Sequence, residues 1–338
     1  MKLATGATMV SMQEVATRSR VSIATVSNFL NNPERVSEEL RRRVADAIDE
    51  LGYIRNEPAR ELRTGVSTAL GFLAQELDNP VSSAVAVHLE KRASADGALL
   101  FIANTDGDPQ LESRFLRRFA QQRVRGLILA TGMTLDRDLH LLRRLSIPTI
   151  LMDAYLPDDR FSSVAVDDRA AAITATRHLV GKGASHLCFV GFSSTARQVR
   201  ERHQGMVDAL SDVRNVRSSV MHTKDRSIAA GLHAAQQLLA LPHGERPDAV
   251  LAANDSVALG LLQGLVQGRM RIPRDIAIFG FDDLEYAATA VVPLSTVRRP
   301  LATMTETAID LLNEQIADPS ATVRHVSLTA EIVLRQSS

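Results

Sequence analysis

The sequence has no tryptophan, a single cysteine and only 4% aromatic residues in 338. A binding site built on stacked indole rings is thereby excluded. Cys188 has no partner for an internal disulfide and cannot supply a cysteine zinc cage; between Leu187 and Phe189 it reads as a small buried hydrophobe. An excess of one charge is lacking too, because 39 Lys+Arg balance 39 Asp+Glu. The basic footprint that phosphate binding usually leaves is absent from the total and must be sought locally. No apolar run reaches the roughly 18 residues of a membrane span, and the first residues meet charge before any apolar stretch of signal-peptide length. A cytoplasmic address without membrane association is expected. Catalytic signatures are missing: no G-x-G-x-x-G follows a strand, and there is no Walker loop, no G-x-S-x-G elbow and no H-E-x-x-H among nine histidines. Neither an enzyme nor a cofactor nor a metal centre is expected.

What is present begins with strong helix punctuation. Ser11-Met12-Gln13-Glu14 has the form of a capping box and predicts a helix over about 12–19 with Val15 and Ala16 inward. Ser22 caps a second over about 23–31, anchored by Val26, Phe29 and Leu30 and ended by Asn31-Asn32-Pro33. Ser37 opens a third, with Leu40, Val44, Ala47, Ile48 and Leu51 on one stripe and Gly52 at the left-handed C′ position. Two short helices joined by a tight turn and braced by a third suit a helix-turn-helix, whose second helix enters a major groove. A small helical bundle for protein contact fits the same pattern.

The ordered residues decide between them. The stretch from Ser11 to Gly65, with VSIATVSNFLN, the helix VSEELRRRVADAIDELGY and the N-x-x-A-R-x-L of Asn56, Ala59, Arg60 and Leu62, resembles the DNA-binding head of the lactose/galactose repressor family. The resemblance implies that Ser22, Ile23, Ala24, Thr25, Ser27 and Asn28 read base edges. It also implies that Asn56 caps a short hinge helix ending near Arg63. Two copies of that helix would lie in the minor groove, with Leu62 as an apolar wedge. Too short to be stable alone, the hinge would fold only on DNA, where a distant ligand can control it. Residues 1–55 form the expected head and 56–66 the hinge and linker. Over residues 1–63, ten basic groups face nine acidic ones, a surplus of one; Arg41, Arg42 and Arg43 serve equally as phosphate contacts or as a solvated face. Three departures stand out: Arg20 replaces the family's turn glycine, Asn28 its arginine and Arg55 its proline. Asparagine suits adenine and Ile23 and Ala24 suit thymine methyls, so A·T steps are expected in the half-site.

From Ala69 onward, short apolar runs (ALGFLA, ALLFIAN, GLILA, PTILMD, LCFVG, AVLAA, IAIFG) alternate with helical spacing. This α/β pattern predicts two doubly wound lobes of parallel sheet over 67–338, changing over near residue 163, with ligand space at the carboxyl ends of the strands. The segment from about 290 is expected to cross back between lobes. Landmarks of the same family recur here, and the resemblance implies a periplasmic-binding-protein-like effector domain whose cleft residues match Asp153, Arg202, Asn254 and Asp282. Such a set suits a hydroxyl-rich ligand. Arg226 stands where relatives often place an aromatic ring, and with Arg197 and Arg200 nearby it suggests an anionic effector, a sugar acid or sugar phosphate. Arg123 is a further candidate for the cleft or a helix end. The expected protein is a ligand-responsive repressor that binds a near-palindromic operator as a homodimer, without a tail-mediated tetramer. The alternative is a periplasmic-type small-molecule receptor with no DNA activity.

Overall fold

A computed structural model describes residues 10–54, 67–130, 136–153, 160–192 and 197–338. The chain divides into two compact units, Met1–Val66 and Ser67–Ser338. The hinge residues Asn56, Ala59, Arg60 and Leu62, with Arg55, lie outside the described residues.

In the first unit α1 (Met12–Ser19), α2 (Ile23–Asn31) and α3 (Glu38–Leu51) follow their sequence signals. Ser11 Oγ accepts from the Glu14 amide at 3.3 Å while Glu14 Oε2 accepts from the Ser11 amide at 2.7 Å, closing the capping box. Gly52 ends α3 at φ 62°. Val15, Ala16, Val26, Val44 and Ala47 bury one small core contributed by all three helices, with Phe29, Leu30 and Leu51 at its margin.

In the second unit, β1 (Ala69–Ala74), β2 (Leu99–Asn104), β3 (Gly126–Ala130), β4 (Thr149–Met152) and β5 (Ser162–Val166) join β11 (His325–Leu328) in a parallel sheet ordered β11-β5-β4-β3-β1-β2. Helices α4 (Pro80–Ala95) and α12 (Leu301–Ala317) cover one face, and α5 (Pro109–Gln121) and α6 (Asp136–Arg144) the other. The second lobe has a parallel sheet β7-β6-β8-β9, from β6 (His186–Phe192), β7 (Arg217–Thr223), β8 (Ala249–Ala252) and β9 (Ala277–Phe279). Here α7 (Asp168–Gly181) and α8 (Arg197–Leu210) pack on one face, and α9 (Ile228–Ala240) and α10 (Asp255–Gln267) on the other. The α9–α10 contact needs glycine: a Cβ on Gly260 would come within 2.1 Å of the Ile228 carbonyl oxygen.

The changeover falls slightly later than expected. Ser162–Val166 is a fully buried strand of the first sheet, and the chain enters the second lobe only at α7. The C-terminal segment does cross back. β10 (Thr296–Arg298) pairs antiparallel with β12 (Glu331–Val333), while between them α12 and β11 complete the first lobe. Because every main strand runs parallel, the ends of β1, β4, β6, β8 and β9 open toward one cleft, where strand-end loops supply polar groups without breaking the core.

Candidate effector cleft and DNA-reading face

On α2, the Ser22 hydroxyl accepts from the Thr25 amide at 3.0 Å and shares a hydrogen with the Thr25 hydroxyl at 2.9 Å. That cap fixes the start of the helix and leaves Ser22, Ile23, Ala24 and Asn28 exposed, with Thr25 and Ser27 half-buried on the same side. Val26, fully buried, holds the opposite face down. The arginines of α3 do not act alike. Arg41 pairs with Glu38 at 2.8 Å, whereas Arg43 Nη2 donates to the backbone oxygens of Ser19 (2.6 Å) and Arg20 (3.0 Å). Arg43 therefore braces the turn between α1 and α2, a role invisible to spacing because its acceptors are main-chain atoms.

In the second unit one cleft, enclosing about 780 Å³ partly open to solvent, is lined by Asp153, Arg202, Arg226, Asn254 and Asp282 together. Each arrives on a different element: Asp153 after β4, Arg202 on α8, Arg226 between β7 and α9, Asn254 as the cap of α10, Asp282 after β9. Phe72, Met152 and Phe192 supply apolar lining, and Gln75, Asn79 and Ser82 further polar groups. Arg123 does not line the cleft; it follows the end of α5 in the left-handed region, φ 52°. Arg197 lies in a different depression, with Ser163 and His325.

The charges are already matched. Arg202, 4% exposed, donates from Nε to Asp168 Oδ1 (2.8 Å) and from Nη1 to the Ala253 carbonyl (2.6 Å). Its Nη2 lies 3.7 Å from Asp282 Oδ1, and the guanidinium sits 4.3 Å over the Phe281 ring. Arg299 pairs with Asp153, and Arg226 with Glu76 at 3.0 Å. Burial raises the Asp282 carboxyl above its usual range, opposed by the positive charges of Arg202 and Arg299. Burial acts against the Arg299 charge, but Asp153, Asp168 and Asp282 more than offset it and hold the guanidinium firmly protonated. Asp153 Oδ1 is buried without a hydrogen bond among the described residues, an acceptor that a ligand hydroxyl would satisfy. Arg202 and Arg226, two of the guanidinium groups behind the expected anionic effector, each have a carboxylate partner. The cleft therefore shows no surplus of positive charge to attract an anion.

Sequence reasoning missed Arg299, Asp168, Phe192 and Glu76. Arg299 is the second arginine of Arg298-Arg299-Pro300, and nothing in that run marks which of the two turns inward. Asp168 was hidden because it belongs to a helix whose preceding strand went unread.

Among the described residues no helix is long and apolar enough to cross a membrane, and no His/Cys/Asp/Glu group could hold a metal ion. A helix-turn-helix head joined to a two-lobed receptor unit defines a ligand-responsive transcriptional repressor. The model of bacterial regulatory proteins of the lacI family matches residues 11–56, and that of the periplasmic binding protein-like domain matches residues 176–338. The ribose operon repressor of Escherichia coli K12 is 32% identical over 333 residues, 98% of this chain and 100% of that protein. The chain belongs to the lacI family of bacterial regulatory proteins. Among solved structures, the Lac repressor dimer bound to operator and the anti-inducer ONPF superposes with a TM-score of 0.84 at 24% identity, covering 97% of this chain and 98% of that one. A LacI family regulator from Enterococcus faecalis with bound ribose gives 0.72 at 22%, over 80% and 98%.

Proposed function

We propose that the protein binds a near-palindromic operator as a homodimer and that a small neutral sugar in the cleft sets how firmly it binds. The observation that carries the effector reading is convergence: five polar residues from five elements meet in one cleft, their charges compensated by one another or by Glu76 and Arg299. Such a site offers donors and acceptors to hydroxyls without demanding a charged ligand. The similarity to a ribose operon repressor and to a regulator with bound ribose makes pentoses the first class to test.

On DNA, Ser22, Ile23, Ala24, Thr25, Ser27 and Asn28 meet base edges in the major groove, and Asn56, Ala59, Arg60 and Leu62 form the hinge in the minor groove. A dimer is supported by the edge strand β2, where Leu99, Phe101 and Ile102 are 64%, 41% and 43% exposed and Val87 on the adjacent α4 is 52% exposed. An apolar strand edge of this kind calls for cover, and a two-fold partner matches two operator half-sites. The role is regulatory rather than catalytic.

Thermal-shift titration with neutral pentoses and hexoses and with their phosphorylated forms tests the effector reading. A neutral sugar should raise the melting temperature, and Asp282→Asn should remove most of that rise. Stabilisation by phosphorylated sugars alone would contradict it.

A further inference from the structure

We propose that Glu76 and Arg226 form a latch across the mouth of the cleft, holding the lobes together before any ligand arrives. The two residues belong to opposite lobes. Glu76 lies in the loop leaving β1 of the first sheet, and Arg226 in the loop between β7 and α9 of the second. Their Nε and Oε2 atoms are 3.0 Å apart, with the side chains 25% and 29% exposed. Arg202 differs, since its partners Asp168 and Asp282 sit in its own lobe and cannot report on closure.

An exposed ion pair is ordinarily weak, because two long side chains must be ordered in high dielectric. This one is preorganised on the arginine side. The Arg226 guanidinium rests 4.9 Å over the Phe192 ring, which narrows its rotamers. Its carbonyl accepts from Asn254 Nδ2 at 3.1 Å, and Asn254 is itself fixed by accepting the Val257 amide at 2.9 Å. The preceding turn is tied by Thr223 Oγ1 donating to the Asp225 carbonyl (2.8 Å) and the Ser227 amide donating to Asp225 Oδ1 (3.0 Å). Little freedom remains to be lost when Glu76 approaches.

The consequence concerns ligand exchange. Arg226 lines the cleft, and its two Nη groups make no hydrogen bond among the described residues, so they are offered to an acceptor on the ligand. Parting the lobes to admit or release that ligand must break the pair with Glu76. Retention of ligand therefore weakens with ionic strength, even when the ligand is uncharged.

The pairing is testable without ligand, apart from the effector reading on which its consequence rests. Hydrogen exchange by mass spectrometry is measured on the full chain as wild type, Glu76→Gln, Arg226→Met and the double variant, at low and high salt. Met keeps an apolar stem on Phe192. The latch predicts that each single variant exchanges about two- to fivefold faster over residues 75–81 and 223–230, with no further gain in the double variant. Added salt should bring wild type toward the variants and leave the variants where they are. Glu76→Gln exchanging like wild type at low salt, or single effects that add in the double variant, would overturn the latch. Separately, thermal shift with D-ribose and other neutral sugars tests the cleft as an effector site; no stabilisation by any of them counts against that reading and leaves the exchange result intact.

Discussion

Arg20 occupies the left-handed region at φ 54° in the turn between α1 and α2, where the resemblance leads one to expect glycine. A side chain there costs about 1 kcal/mol, partly offset by the lower entropy of the unfolded chain. Arg20→Gly should thus stabilise the head by about 0.5 kcal/mol, read by urea unfolding of the full protein followed through a probe on the head. A destabilised variant would mean that the arginine side chain makes a contact of greater worth. A second residue couples stability to pH. Asp255 is fully buried, accepting from Thr296 Oγ1 at 2.6 Å and the Leu284 amide at 2.8 Å. Burial, reinforced by the Asp282 charge, lifts its carboxyl well above the usual range. In the unfolded chain the same group releases its proton near pH 4. Folding therefore takes up a proton above that pH. The stability contributed is complete below the unfolded value and declines as pH rises toward the folded one. Asp255→Asn, isosteric with the neutral acid, should flatten that decline in unfolding measured from about pH 5 to pH 8. An unchanged slope would place the pH dependence elsewhere.

At the scale of elements, the proposed DNA specificity rests on α2. Asn28 is exposed on the face proposed to read bases, and the cap at Ser22 sets the helix start from which its side chains project. Asn28→Arg should move the preferred base pair facing it from A·T toward G·C by about 1–3 kcal/mol, measured with palindromic fragments that differ only there. Equal loss on both fragments would mean that residue 28 only positions the backbone. Elements with strong local signals were legible in the sequence. The three head helices carry their own caps, and buried parallel strands such as Gly126–Ala130 announce themselves as unbroken apolar runs. Strands β5 and β7 were not legible: Ser162-Ser163-Val164-Ala165-Val166 and Arg217–Thr223 are rich in polar side chains, and pairing with neighbours rather than local pattern makes them strands. The cleft shows the same division. Its residues at strand ends were found by resemblance, but the partners that neutralise them, Asp168, Arg299 and Glu76, come from distant segments. The arginines of the cleft were therefore legible without the carboxylates that compensate them.

For the whole molecule, two units with separate cores must communicate. A ligand shifts a binding equilibrium only by the difference in its affinity for the two states. In the proposed dimer, suggested by the exposed β2 edge, two heads bind one operator together and are released together. Binding by this pair should fall steeply with salt, since the phosphate contacts displace counterions. The central claim is that the occupant of the cleft decides how firmly the heads hold DNA. Its most direct test is a fluorescence anisotropy titration of the full protein on a palindromic operator from its own chromosome, with and without a sugar shown by thermal shift to occupy the cleft. The account predicts a change in operator affinity of about tenfold or more at saturating sugar, in one direction or the other. An identical affinity with the cleft empty and filled would contradict it.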